Sequence, residues 1–455
     1  MAVAKVILNG VTQMDLTSDT VSAATLLSGE TAHGKDGEAI TGTASSGGGD
    51  DDIIKLIERT ISGTYYDAST TQIGSYAFAY CTSLTSVNMP SVKSVYSSAF
   101  MRASSLTSFS LPALEFIGSY GFANANIVEA SFPNVSSTGG TAFQFCYNLT
   151  TVSMPKLTSL NSNVFAYCSS LTSVYLPSVT YISSSAFSNC LALQSIEMSS
   201  VETIMGYAFI ACKSLRYASF PAATLVGELA FQSCYSLEEA TLPSLTLISR
   251  GAFFQCSALS FVSFPLVSKV GDSVFAGCRA LKSAYLPTLS YLTGGTFQGC
   301  YLLESVVLST YISYLGTATF QECSVLPSIS LSGLFVVYAQ TFLSCWSLST
   351  VILNIAGTGS IYGSAFRSCY NLLSLYLITP SSNYIVTLPN SNAFSSSPIS
   401  DYLVSTAGIQ GSVFVPYYQY SKYLSSTNWA LFSDRIVSLT DAEIQNVLTY
   451  GRHDP

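Results

Sequence analysis

All 12 cysteines of the chain stand three residues after a phenylalanine, and the pairs recur at steps of about 22 residues: Cys81, Cys146, Cys168, Cys190, Cys212, Cys234, Cys256, Cys278, Cys300, Cys323, Cys345 and Cys369. The phenylalanines continue through Phe100 and Phe122, where Ala103 and Ala125 replace cysteine. A period of this length marks a solenoid, a stack of like turns in which each buries its apolar side only against its neighbours.

One repeat reads IGSYAFAYCTSLTSVNMP from Ile73, and another ISSSAFSNCLALQSIEM from Ile182. The spacing of two between Val87 and Met89 predicts a strand, and the three-residue recurrence of Ala-Phe-x-x-Cys-x-x-Leu predicts a short helical turn. Proline follows the strand in most early repeats, as at Pro90, Pro112, Pro177 and Pro243, where its missing N–H ends the ladder. Later repeats carry Ser332, Asn354 and Ile378 there and are less regular.

These residues resemble the BspA-like leucine-rich repeats of bacterial and phage proteins, over Ile73 to Leu377. The resemblance implies an α/β leucine-rich repeat solenoid of parallel strands and short helical segments, about fourteen turns, that holds other molecules and carries no chemistry of its own. Residues 378–455 resemble the closing segment of the same family, with Val415 and Pro416 ending a strand, Tyr417 to Tyr423 as a tyrosine-rich helix, and the pair Asn428 and Trp429. Terminal turns need such a cap because their outer faces meet water.

Residues 1–44 lie outside the repeat. AKVILNG and TQMDLT read as short strands, DTVSAATLLSG as a helix capped by Ser18 or Asp19 and stopped by Gly29, and the segment around Asp36 and Gly37 as a hairpin. Asp19 to Val21, Leu26 to His33 and Ile40 to Thr43 resemble a module found at the start of phage and prophage tail, baseplate and fibre proteins, which implies attachment to a virion protein. Residues 45–51 form a Gly, Ser and Asp linker. Residues 52–72 hold a helix, DDIIKLIERT, expected to cap the first repeat or to form the seam of a trimer, and lead into the solenoid.

Hydrophobic residues at 49% and charged residues at 9% describe a chain with much apolar surface turned inward. Its net charge of -8 and scattered basic residues exclude a nucleic-acid binder. No apolar run is long enough to span a bilayer, and the first residues lack the apolar core of a secretory signal, so release by lysis after assembly in the bacterial cytoplasm is expected. Parallel cysteine side chains point away from disulfide pairing and from a metal, leaving free buried thiols.

Of the 2 histidines, His33 and His453, neither lies in a repeat, so no imidazole base stands near a serine or cysteine nucleophile. No catalytic, cofactor or metal residue is expected. Recognition is. Positions outside the packing pattern vary from turn to turn and carry Tyr147, Tyr235, Tyr301, Trp346 and Tyr370 after the cysteine, and Tyr175, Tyr217, Phe261, Tyr285 and Tyr376 on the strands. Tyrosine among serines gives rigid amphipathic contact area at small entropy cost. The expected function is therefore a phage or prophage tail-associated receptor-binding protein, docked through residues 1–44 and holding a host-cell glycan or protein on its repeats. The alternatives are a bacterial surface adhesin of the same family and a decoration protein that binds no receptor.

Overall fold

Backbone hydrogen bonds tie each coil to its neighbours, and three kinds of segment make them in turn. The computed structural model describes strands Lys5–Leu8, Val11–Asp15, Thr31–His33 and Ala39–Thr41, and residues 59–381, 383–400 and 410–450. The chain forms two units, Met1–Leu193 and Gln194–Pro455.

The first segment is a strand of three residues or more. In the first unit, Ser62–Tyr66, Ser83–Asn88 and Ser108–Ser110 form one parallel sheet, and Glu129–Ser131, Thr151–Ser153 and Ser173–Tyr175 another. Pairing is in phase with the repeat, as in Val152 against Val174. The second segment is a strand of only two residues, such as Phe116–Ile117, which pairs in parallel with Ser94–Val95 and Ser137–Thr138. A two-residue strand has no alternation to read, so the sequence alone predicts one strand per repeat where the structure has two.

The third segment, around Ala-Phe-x-x-Cys, is a run of linked turns rather than a helix. Ala77, Ala79 and Cys81 donate their N–H groups three residues back, to Gly74, Tyr76 and Phe78, at 3.2, 3.1 and 3.2 Å. Between them, Tyr76, Phe78 and Tyr80 donate to Ser97, Ala99 and Met101 of the next coil at 3.1, 2.7 and 2.8 Å. A helix would keep every N–H within its own turn. Here half of them tie coil to coil, which requires left-handed backbone at Tyr76 (φ 62) and Tyr80 (φ 61), and the same pattern recurs at Ser98 and Arg102.

Inside, like residues stack on like. Phe78, Phe100 and Phe122 are fully or almost fully buried, with ring centroids 5.0 Å apart at each step. In the second unit Phe209, Phe231 and Phe253 stack at 5.1 and 5.3 Å. Beside this column runs the cysteine column, all thiols free and buried. Their S–H groups point to the phenylalanine carbonyl of the preceding coil: Cys168 to Phe143 O at 3.2 Å, Cys256 to Phe231 O at 3.1 Å, Cys345 to Phe320 O at 3.0 Å. Cysteine is thus a small hydrophobe that also gives a second donor to a buried carbonyl, which alanine at 103 and 125 cannot do.

The second unit ends in a five-stranded parallel sheet, Ser328–Val337, Thr350–Ile361, Ser374–Ile378, Ser412–Pro416 and Ile436–Leu439, with helices α1 (Tyr420–Ser425) and α2 (Asp441–Tyr450). Phe394 extends the aromatic column, stacked on Phe366 at 5.6 Å and edge-on to Phe432. Trp429, fully buried, donates from Nε1 to Val386 O at 2.7 Å, and Asn428 donates to Leu388 O at 2.8 Å. The Asn-Trp pair therefore fastens the segment 386–389 over the last coil.

Near the start of the chain, Lys5–Leu8 pairs antiparallel with Val11–Asp15, and Thr31–His33 with Ala39–Thr41. The expected helix at 19–29, the turn at Asp36 and Gly37, the linker at 45–51, the cap helix up to residue 58, and His453 lie outside the described residues. Among the described residues no helix is long and apolar enough to cross a membrane.

Candidate recognition surface

The strand side of the coils carries side chains that the core cannot take, because alternate residues of a strand point to opposite faces. In Tyr217–Ser219, Glu239–Thr241, Phe261–Ser263 and Ser283–Tyr285 the middle residue is buried, and Tyr217, Glu239, Phe261 and Tyr285 stand out into solvent. Phe261 keeps 50% of its surface exposed. In the first unit Tyr175 is exposed in the same way.

The residues that follow the cysteines sit on another side, among the turns. Tyr147 in the first unit, and Tyr235, Tyr301 and Trp346 in the second, are exposed, while Tyr370 is half-buried. Tyr235 lines a groove of about 270 Å3 with Gln255, Ser257, Gly277 and Arg279. Tyr301 donates to Glu322 Oε2 at 3.2 Å and has the Arg279 guanidinium 5.9 Å from its ring centre; the charge of Glu322 pushes its phenol above the usual range. Within the second unit the expected residues are therefore divided between the strands and the turns.

Tyr376, expected on the recognition surface, is buried. It is 4% exposed, stacked on Phe414 at 4.6 Å and packed in one cluster with Ile352, Ile378, Leu439, Ile444 and Val447. Its strand position is an outward one, but α2 folds over that face and covers it. No feature near residue 376 announces a helix at Asp441–Tyr450.

Sequence reasoning also missed a row of tyrosines that begins in the two-residue strands Tyr291–Leu292 and Tyr314–Leu315 and continues just past the long strands Ser328–Val337 and Thr350–Ile361. Tyr291 and Tyr314 stack at 4.5 Å, Tyr314 and Tyr338 lie at 5.3 Å, and Tyr338 and Tyr362 stack at 6.0 Å. Burial pushes the Tyr314 phenol up. The signal was the recurrence of tyrosine near the second strand, which has no meaning until that strand is recognised.

Two grooves open on the strand side of the second unit, both where the ladder is interrupted. Glu239–Thr241 belongs to the sheet of Ser195–Glu197 and Tyr217–Ser219, whereas Phe261–Ser263 begins the next, with Ser283–Tyr285 and Ser305–Val307. At this break lies a groove of about 410 Å3 lined by residues including Glu239, Thr241, Pro243, Ser260, Phe261 and Ser263. The second break, between Ser305–Val307 and Ser328–Val337, holds a groove of about 550 Å3. Its cause is plain. In earlier coils the residue before the strand donates backward, Lys282 to Ser260 O at 2.9 Å and Glu304 to Lys282 O at 2.8 Å, but the next such residue is Pro327, which has no N–H.

Charge in the first groove is organised. Arg216 gives Glu238 Oε1 two bonds, from Nε at 3.0 Å and Nη2 at 2.8 Å, and Tyr217 Oη donates to Glu238 Oε2 at 3.1 Å. The Arg216 bonds hold the Glu238 carboxyl below its usual range. Glu239 receives a bond from Thr241 Oγ1 at 3.0 Å. Among the described residues no three His, Cys, Asp or Glu side chains gather as a metal site.

The sequence profile of the BspA type leucine rich repeat region matches residues 71–194, 180–304 and 290–415, six copies in all. Among solved structures, a leucine-rich repeat protein from Bacteroides ovatus is 22% identical over 80% of this chain and 92% of its own, with a TM-score of 0.53. A leucine rich cell surface protein from Faecalibacterium prausnitzii is 21% identical over 62% of this chain and 86% of its own (TM-score 0.35), and a leucine-rich repeat protein from Eubacterium ventriosum 19% over 74% and 88% (TM-score 0.38). The first supports the fold alone. No curated protein matches the chain.

Proposed function

The chain belongs to the BspA-type leucine-rich repeat family, and we propose that it is a binding scaffold that recognises a cell-surface receptor through its repeats and docks on a phage or prophage tail through residues 1–44. The observation that carries recognition is the set of exposed aromatic side chains, Tyr217, Phe261 and Tyr285, on strands whose middle residues are locked in the core. Side chains anchored this way lose little entropy on binding, so contact area converts to affinity with small losses. Docking rests on the resemblance of Asp19–Val21, Leu26–His33 and Ile40–Thr43 to tail-associated modules. On this reading the partners are a tail or baseplate protein and a host receptor, and the chain leaves the producing cell by lysis as part of the particle.

Antibody against the chain is expected to decorate the tails of intact particles, and the purified full chain to bind intact host cells. Labelling of cell envelopes and of no particle would make it a surface adhesin of the same family. Tail labelling without cell binding would make it a decoration protein.

A further inference from the structure

The groove between Glu239–Thr241 and Phe261–Ser263 combines an exposed aromatic side chain with a rim of hydrogen-bonding groups, of which the Thr241 hydroxyl already donates to Glu239. Phe261 keeps half of its surface exposed at the groove, and Pro243 and Pro265 extend the apolar floor. Around it stand the Glu239 carboxylate, the hydroxyls of Thr241, Ser260 and Ser263, and strand backbone groups freed by the missing ladder. Its volume of about 410 Å3 falls in the range of small-ligand sites.

What fits can be narrowed by elimination. The two coils remain tied on their other sides, by Phe231 N–H to Ala252 O at 2.8 Å, by Ser268 N–H to Thr246 O at 3.1 Å, and by pairing of Leu247–Ile248 with Lys269–Val270. The gap therefore cannot widen to the two strand spacings, roughly 9.6 Å, that an inserted peptide strand needs. An anionic ligand would face Glu239 while the nearby cation, Arg216, is already committed to Glu238. An uncharged ligand with one apolar face and a rim of hydroxyl groups satisfies both conditions: C–H groups lie on the ring, and hydroxyls donate to the carboxylate and the open carbonyls.

We infer that this groove holds a pyranose of a neutral glycan, which names the receptor chemistry for the recognition reading above and rests on it. Binding is non-covalent, with Phe261 as the stacking platform and Glu239 as the acceptor that selects a pair of adjacent hydroxyls. The second groove, three coils along or roughly 14 Å away at about 4.8 Å per coil, gives a longer chain a second point of contact.

The test uses the full chain on an array of neutral hexose and N-acetylhexosamine oligosaccharides beside sialylated and uronate-containing ones. Retention on neutral glycans is expected, with affinity lowered at least about tenfold by Phe261→Ala and by Glu239→Gln and unchanged by Leu431→Ala, an exposed residue of the cap. Melting curves of all three variants should overlay that of the parent, since the altered side chains are exposed. Binding confined to anionic glycans, or neutral binding indifferent to both groove substitutions, overturns the inference. Cell binding that survives periodate and is lost to protease identifies a protein receptor, which overturns the glycan and leaves recognition standing; no binding to any glycan or cell overturns both.

Discussion

Raising the pH from 8 to 11 is expected to unfold the repeats. Burial pushes the thiols up: Cys146 and Cys369 reach about 12, and Cys168, Cys234, Cys256, Cys278, Cys300, Cys323 and Cys345 are likewise raised. In the unfolded chain the same groups ionise near about 8.5. Below that value both states hold the proton and the thiols leave stability independent of pH. Above it the unfolded state releases protons that the folded state retains, so stability falls as pH rises and goes on falling up to the folded values. Each group contributes up to about 1.4 kcal/mol per pH unit, and nine fully buried thiols together up to about 12 kcal/mol per unit, as large as the whole stability of an ordinary domain.

Denaturant midpoints followed by circular dichroism should therefore hold steady between pH 7 and 8 and collapse between pH 9 and 11. Replacing Cys256 and Cys278 with alanine, the residue that Ala103 and Ala125 already place in this register, should reduce the slope by up to about 2.7 kcal/mol per pH unit. A midpoint that stays constant to pH 11 would mean that the thiols ionise in the folded chain.

Phe231→Ala is expected to cost about 3–5 kcal/mol. Its ring has no exposed surface and lies between those of Phe209 and Phe253, at 5.1 and 5.3 Å, so the substitution leaves a void walled by two rings that are themselves held by their neighbours. A column of this kind can relax only by shifting whole coils. Tyr235→Ala, four residues on and exposed, should change stability by less than about 0.5 kcal/mol. Equal losses in the two variants would place phenylalanine and tyrosine in the wrong roles.

The residues that made the fold legible are those whose spacing repeats and whose environment is the same in every coil. Phe231 and Cys234 belong to this class, and their burial follows from the period alone. The Asn428 and Trp429 pair was legible for a different reason, a resemblance, and the structure supplies its physical content in the bonds to Leu388 and Val386. Other features escaped. The left-handed backbone at Tyr76 and Tyr80 is carried by residues with no preference for it, because the forward hydrogen bonds of the stack offset its cost. The burial of Tyr376 is decided by a helix more than sixty residues downstream.

The grooves depend on ladder bonds that are missing, and a sequence displays residues rather than bonds. Pro327 is the exception: a proline just before a strand of the stack, where other repeats bring an N–H, could have been read as a break. For the first groove the structure offers no comparable cause, since Ser260 has an N–H to give.

Equivalent side chains of successive coils form columns in the buried interior of each unit, and the cysteines test this most directly. An aromatic disulfide reagent at pH 8 should find almost no reactive thiol in the native chain and all 12 once guanidinium is added without reductant. Several fast-reacting thiols in the native protein, or fewer than 12 in denaturant, would contradict it.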